Sequence, residues 1–194
     1  MTHAEIHARR QARTYLDVLR ALPGWAHAYI ASTGPELGTR ESRHVVTRRR
    51  LDRDHVLHGL RDPDAVAVGA WPVEYHPGAG VPSTWQYIAD GGTYDIPLPA
   101  LASADTANLF AAGRLLDGEL GAAASLRVMG TSFGTGHAAG VAAARTSTHP
   151  ATPARTQEVR TELQRQDARL PDLHLASGRS GLSQDQSYQG STAV

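Results

Sequence analysis

The chain has 194 residues, of which 41% are hydrophobic, and its 19 acidic residues balance its 19 basic ones. This length and composition suffice for the core of one domain, while a formal net charge of zero offers no basic field to nucleic acid or to an anionic membrane. Cysteine is absent and every basic residue is arginine, which excludes disulfides, thiol catalysis, cysteine-ligated iron–sulfur clusters and lysine-dependent phosphate or Schiff-base chemistry.

The sequence contains no motif for metal binding and no segment typical of membrane insertion. The ten histidines are scattered and none lies in an H-E-x-x-H pattern, so no metal site is predicted. The N-terminus lacks the charged-then-apolar layout of a signal peptide, and no apolar run approaches the roughly 18 residues of a membrane span. The sequence therefore predicts a cytoplasmic protein.

In the first half of the chain, the sequence predicts a series of short helices and strands. Residues 5–22 carry apolar or small side chains at helical spacing and arginines on the other face, and Pro23 ends the pattern. The shorter elements predicted after it are a strand at residues 28–30, a β-prone stretch at 45–47, a helix at 52–60 capped by Asp52 and a strand at 66–71. Residues 85–88 and 93–96 predict a hairpin or a tight β connection.

The second half holds the most informative stretch. Asn108–Ala112 predicts a buried strand that ends at a turn, which is where open α/β sheets place ligands. A Gly/Thr/Ser-rich segment, residues 130–136, then leads into a helix of small residues from His137. Since the amides at a helix start lack internal partners and carry partial positive charge, an anionic or electron-rich ligand edge is expected there. The alternative is that Thr135 caps the helix and the glycines only allow close packing.

The stretch as a whole resembles the flavin-contacting segment of FAD-dependent oxidoreductases related to the flavin subunit of heterodisulfide reductase. That family has a strand with an N-L-x-x-A-G-R ending, an S-x-R-V-M element and a T-G-x-A-A-G helix, and the matching pieces here are Asn108–Arg114, Ser125–Met129 and Thr135–Gly140. Gly38–Arg43 resembles the family's G-x-R-E-S-R motif, and Gly91–Pro97 extends the similarity. The resemblance covers roughly residues 4–170.

Five positions depart from the family pattern and bear on substrate choice and catalytic competence more than on the fold. They are Leu98 in place of a usual Tyr, Asp117 in place of Ser, Leu120 in place of His, Gly130 in place of Pro and Ser132 in place of Cys.

The pyrophosphate-binding turn of a complete relative has no counterpart in this sequence. The family resemblance implies a strand, a G-x-G-x-x-G turn and a helix that grip the FAD pyrophosphate, yet the nearest glycine cluster, Gly78-Ala79-Gly80, lies in a proline-flanked loop. The chain is therefore expected to begin inside the second half of a full-length relative and to hold only a partial FAD site. A second polypeptide would supply the missing domain, or the chain would self-associate through exposed apolar surface.

The resemblance also implies site residues. His76 would exchange a proton near the flavin, and Arg40, oriented by Glu41, would hold a carboxylate, a phosphate or the reduced flavin edge. The implied cofactor-binding residues are Gly113, Arg114, Ser125, Arg127, Gly134, Thr135 and Gly136. The alternatives are an incidental loop histidine, a structural Arg40–Glu41 pair, a surface Arg114 and a structural Arg127.

The predicted fold class is α/β in a mixed α+β form: a partial FAD/NAD(P)-binding-type domain with a mixed β-sheet cap and flanking helices. The expected divisions are a cap at residues 1–107, a flavin-contacting segment at 108–150, an amphipathic helix within 151–175 and a disordered tail at 176–194. The predicted function is that of the C-terminal portion of an FAD-dependent oxidoreductase, inactive without its nucleotide-binding half. The alternative is a non-catalytic fragment that acts as an interaction module.

Overall fold

The computed structural model describes residues 2–78, 81–90, 92–148 and 155–170. The chain divides into two compact units, residues 1–42 and 43–194. The predicted boundary at residue 107 thus falls inside the second unit, where the proposed cap and the proposed flavin-contacting segment pack together. The predicted tail at 176–194 lies outside the described residues.

The first unit consists of one helix and an extended segment that returns beside it. Helix α1, Thr2–Arg20, confirms the helix predicted from the apolar spacing. Side chains on α1 hold the returning segment, since Arg20 donates to the carbonyl of Ala28 at 2.8 Å and Glu5 accepts from the amide of Leu37 at 2.7 Å. The strand predicted at residues 28–30 does not form; the carbonyl of Ala28 bonds to Arg20 of the helix instead of to a neighbouring strand.

Every described residue of the first unit remains at least partly exposed. Its large apolar side chains include Tyr15 at 65%, Trp25 at 52% and Tyr29 at 76% exposure. One amphipathic helix with a single extended segment beside it is too small to enclose a core of its own.

The second unit contains four helices and four strands among the described residues. In chain order these are α2 Arg53–Leu57, β1 Ala65–Gly69, β2 Val73–Tyr75, β3 Thr84–Gln86, β4 Tyr94–Pro97, α3 Leu120–Leu126, α4 Met129–Thr148 and α5 Thr156–Arg165. The predicted cap of α2 is confirmed, because the Asp52 carboxylate accepts the amide of His55 at 2.7 Å. The mixed helix and strand content is consistent with the predicted α+β class.

The strands form two antiparallel pairs, β1 with β4 and β2 with β3. The predicted hairpin of residues 85–88 and 93–96 is therefore wrong. The two segments belong to different pairs, since Trp85 lies opposite Glu74 while Tyr94 lies opposite Gly69. Runs of β-prone residues predicted β1, β3 and β4 but not β2, and the choice of partner depended on contacts that are distant in sequence.

Helix α4 packs against β1, and α5 packs against both. Small residues on one face of α4 allow this close approach: a Cβ added to Gly134 would lie 3.6 Å from the Cβ of Ala67, and Ala138 and Ala142 are fully buried. Val159 and Leu163 of α5 close the core from the other side. The small-residue pattern therefore serves packing along this face.

Two predicted boundaries near α4 need correction. Residues 108–112 form no regular strand; only Phe110 makes an isolated antiparallel bridge to Ala102, so the segment is held by a few bonds to residues 101–103. Helix α4 begins at Met129, not at His137. Residues 130–136, which were predicted to lead into the helix, lie inside it, because packing on β1 outweighs the low helix propensity of their glycines.

Gly69 makes room for the most deeply buried aromatic ring. A Cβ at position 69 would lie 2.1 Å from Cζ of Tyr94, whose ring is fully buried between the sheet and α3 residues. Glycine is therefore required here by contact and not by backbone conformation.

We expect Gly69→Ala to lower the free energy of unfolding by about 1–3 kcal/mol, the usual cost of overpacking a filled core. Gly140→Ala is the matched control, because a Cβ there meets nothing within 4 Å and alanine favours a helix by about 0.5–1 kcal/mol over glycine. Urea denaturation measures both. Equal midpoints for the two variants would contradict the packing assigned to Gly69.

Candidate functional site

A turn that begins at the buried Gly113 ties the segment after residue 112 to helix α4. Gly113 opens a 3₁₀ turn, Gly113–Leu115, with φ at +59°, which favours glycine. Its amide donates to Oγ1 of Thr135 at 3.1 Å, and an added Cβ would lie 2.8 Å from Oγ of Ser132. The turn that carries Arg114 is therefore fixed by two residues of α4.

Thr135 is fully buried and its hydroxyl group is fully used. Oγ1 accepts from Gly113 and donates to the carbonyl of Thr131 at 2.9 Å. It lies in the interior of α4, so the alternative in which it caps the helix is wrong. Of the predicted cofactor-binding residues, Gly113 and Thr135 position the site through buried contacts.

The open end of α4 lies earlier than the sequence suggested. Gly134, Thr135 and Gly136 are inside the helix, where each amide belongs to the internal ladder, so they do not present the donors predicted for them. The amide of Ser132 already donates to Val128 at 2.9 Å. The open donors are those of residues 129–131, for whose amides the described chain shows no backbone acceptor.

The surroundings of these amides differ from one residue to the next. Thr131 is buried, whereas Met129 is 79% exposed and Phe133, one turn on, is 77% exposed. A Cβ on Gly130 would meet nothing within 4 Å. The helix start therefore combines polar donors, free space and exposed apolar side chains.

Ser125 contributes to the core, and its implied role in cofactor binding remains a prediction. It is fully buried, and its hydroxyl donates to the carbonyl of Trp71. Because this uses its single proton, the hydroxyl of Tyr94 donates to Oγ of Ser125 at 2.8 Å. Burial raises the pKa of Tyr94 well above its usual range, so the phenol stays protonated. The trio ties α3, β4 and the residues before β2 together.

Two arginines lie near the ends of these elements. Arg114 is exposed on the 3₁₀ turn, and Arg127 is half-buried at the C-cap of α3, two residues before α4 begins. The turn that carries Arg114 packs with α3 and α4, and Arg127 lies between these two helices in the chain, so both arginines belong to segments next to the open amides. Both remain candidates for anion contact.

His76 lies just after β2 and forms an acid–base pair. Its Nε2 is 3.1 Å from Oε1 of Glu74, and the other carboxylate oxygen of Glu74 accepts Nε1 of Trp71 at 3.3 Å. The side chain of His76 is 47% exposed. Glu74 was not predicted from the sequence. Its spacing of two residues from His76 is the signal that could have found it, because this spacing places two side chains on one face of an extended segment.

The three predicted catalytic residues are not brought together within one unit. Arg40 and Glu41 belong to the first unit and are exposed there, while His76 belongs to the second. The structure thus supports a local pairing for His76 that the sequence did not indicate.

Among the described residues, no group of three or more histidine, aspartate or glutamate side chains is arranged to hold a metal ion. Within the same ranges, no helix has both the length and the apolar character needed to cross a membrane.

We expect Thr135→Val to lower the free energy of unfolding by about 1–3 kcal/mol, because the amide of Gly113 would lose its buried acceptor. Thr161→Val is the control: the hydroxyl of Thr161 also bonds to a helix carbonyl, that of Gln157, but the residue is exposed. Chemical denaturation of both variants provides the comparison. An equal effect at the two positions would show that the Gly113–Thr135 bond does not hold the turn.

Comparison with known proteins gives one match. No curated protein and no solved structure matches the chain. The family model described as FAD dependent oxidoreductase matches residues 1–166, which is most of the sequence and includes the 3₁₀ turn, the open end of α4 and the Glu74–His76 pair. On this match, the chain belongs to the FAD-dependent oxidoreductase family.

Proposed function

We propose that this chain contributes the isoalloxazine side of a flavin site in an oxidoreductase related to the flavin subunit of heterodisulfide reductase. The observation that carries the proposal is the open start of α4, residues 129–131, beside the turn that holds Arg114, in a chain of the FAD-dependent oxidoreductase family.

The residues at this place fit the chemistry of the flavin ring. The ring is flat and largely apolar, which suits the exposed side chains of Met129 and Phe133. Its pyrimidine edge gathers negative charge on reduction, and the amides at a helix start together with a guanidinium stabilise such charge. When bound, FAD would supply the electron-accepting centre, while Arg114, Arg127 and the α4 amides would hold and orient the ring.

His76 is the proposed proton-exchanging group, and Arg40 and Glu41 are the proposed substrate-side residues. An imidazole changes protonation near neutral pH and serves as a general acid or base. The pair with Glu74 supports this role, because an adjacent carboxylate orients the ring and offsets the charge that it gains.

The described residues do not fit the FAD pyrophosphate. The sequence has no G-x-G-x-x-G turn, and the described glycines near the proposed site lie inside α4 or in the Gly113 turn. We therefore propose that a nucleotide-binding region outside these 194 residues completes the site, either in the same polypeptide or in a second one.

Flavin titration tests this division of the site. We expect FMN or FAD to bind the isolated chain only weakly, with no saturation at micromolar concentration, because the phosphate contacts are missing. Fluorescence quenching measures the affinity, and light scattering on the same sample gives the mass in solution. Micromolar binding by the monomeric chain would contradict the need for a second region.

A negative charge introduced at the start of α4 should change the flavin affinity and the stability of the protein in opposite directions. In Gly130→Asp, the carboxylate favours the helix dipole and so stabilises the protein, but it repels the electron-rich flavin edge. We expect FMN affinity to fall about three- to tenfold relative to Gly130→Asn, which is similar in size and uncharged. Amide chemical shifts during FMN titration report both site and affinity.

Shifts confined to Met129, Thr131 and the Gly113–Leu115 turn would support the assignment of the site. Equal FMN affinity in the Asp and Asn variants, or shifts restricted to other parts of the chain, would contradict it.

The second candidate function is that of a non-catalytic interaction module. The exposure of Phe133 on α4, together with the lack of buried described residues in the first unit, favours association with a partner or with a second copy. A stable oligomer whose FMN titration moves no α4 amide would favour this function over the flavin site.

A further inference from the structure

Two tryptophan side chains and a carboxylate lie together at the β2–β3 pair. Glu74 and Trp85 are directly opposite in the register, so their side chains share a face. The indole rings of Trp71 and Trp85 have centroids 5.9 Å apart, and Nε1 of Trp71 donates to Oε2 of Glu74 at 3.3 Å. We call these three side chains the tryptophan corner.

The corner is open to solvent although its parts are held by hydrogen bonds. Trp71 and Trp85 are 40% and 41% exposed. The backbone of Trp71 is anchored to α3 by the hydroxyl of Ser125. The indole of Trp85 donates to Oγ of Ser83 at 3.1 Å. Two large aromatic side chains thus remain exposed at defined positions, which is a feature of binding surfaces.

The chemical groups that the corner leaves unused favour one kind of ligand. An indole has a single hydrogen-bond donor, its Nε1–H, and both such donors of the corner are already bonded within the protein. A ligand can therefore use the π surface of the two rings and the carboxylate of Glu74, which only accepts hydrogen bonds when ionised. These groups attract a positive charge, whereas an anion would meet neither a donor nor a counter-charge among the three side chains.

The spacing of the rings allows one cation to contact both. A cation is attracted to the face of an indole when it lies within about 6 Å of the ring centroid. The two rings meet at 57° and are not stacked, so neither fully covers the other. Their separation of 5.9 Å lets one cation lie within that limit of both centroids. The carboxylate of Glu74, which is bonded to Trp71, adds attraction at the same place.

The charged neighbours of the corner do not cancel this preference. His76 lies 3.1 Å from Glu74 and is charged only when protonated, so beside a neutral imidazole the carboxylate keeps its charge. Arg53 contacts the same strand pair, but its Nε donates to the side chain of Gln86 at 2.9 Å. Gln86 follows Trp85 on β3 and therefore projects from the opposite face. The contact with the guanidinium is thus separated from the face that carries the carboxylate.

We propose that the tryptophan corner binds a methylated ammonium group. Methyl groups on the nitrogen suit the apolar π surface, and the positive charge suits the two ring faces and the carboxylate. Each of these contacts is partly exposed and contributes little, so we expect a dissociation constant that is roughly millimolar. The corner shares no residue with the proposed contacts to the flavin ring, and this inference does not depend on the proposed function.

Titration of the chain with choline tests the site at about pH 8, where an imidazole is neutral. The Nε1–H signals of Trp71 and Trp85 should shift together and saturate in the millimolar range, while the signal of Trp25 in the first unit is the internal reference. Spectra of Trp71→Phe and Trp85→Phe assign the signals. The matched ligand is the neutral alcohol that has a tert-butyl group in place of the trimethylammonium group, and it should bind about three- to tenfold more weakly.

Matched variants separate the corner from aromatic exposure in general. Trp85→Leu should weaken choline binding about three- to tenfold, because it removes one ring face. Tyr75→Leu is the control, since Tyr75 is 42% exposed but follows Glu74 on β2 and so lies on the opposite face. Glu74→Gln keeps the shape of the side chain without its charge and should weaken binding about two- to fivefold.

The outcomes decide for or against the site. Equal affinity for choline and the neutral alcohol would overturn the proposal, and so would equal losses in Trp85→Leu and Tyr75→Leu. Indole shifts caused by glucose but not by choline would assign the surface to a sugar and contradict it as well. If Trp85→Leu perturbs the fold, the comparison of the two ligands in the wild-type chain and the effect of Glu74→Gln still decide. A saturable preference for choline that depends on Trp85 and Glu74 supports the site.

Discussion

The close packing of α4 on β1 is the constraint on which the second unit depends. Gly134, Ala138 and Ala142 bring the helix backbone close to the sheet, at a distance that larger side chains would not allow. The contact extends the helix back to Met129 despite its glycines. The start at Met129 determines which amides stay open, and the half-buried Ser132 and the buried Thr135 of α4 lie against the Gly113–Leu115 turn.

Buried polar contacts then fix the parts that surround this helix start. The Gly113–Thr135 bond sets the turn that carries Arg114, and the Tyr94–Ser125–Trp71 contacts join the sheet to α3. An unpaired buried hydroxyl or amide costs free energy, so each of these groups has a partner and little freedom. Ser125 and Thr135, which resemble ligand contacts in the sequence, are thus engaged in buried contacts within the protein.

The proposed flavin site and the Glu74–His76 pair share this framework. Trp71 connects them, since its carbonyl bonds to Ser125 in α3 and its indole bonds to Glu74. The first unit differs from the second. Helix α1 and the extended segment beside it contact each other, but no described residue of this unit is buried. A helix of this composition gains most of its stability from a surface that covers its apolar face.

The sequence by itself determined the features that depend on neighbouring residues. It predicted α1, the Asp52 cap of α2 and the strand β1, since helical periodicity, capping and short apolar β-prone runs are local patterns. The motifs around residues 108–140 also indicated an FAD-dependent oxidoreductase, and at that level the match over residues 1–166 supports the prediction. Only the tertiary structure decided the pairing of β2 with β3, the start of α4 at Met129 and the burial of Ser125 and Thr135. These depend on contacts between residues far apart in the chain, where packing and hydrogen bonding outweigh the local preferences of glycine and of short apolar runs.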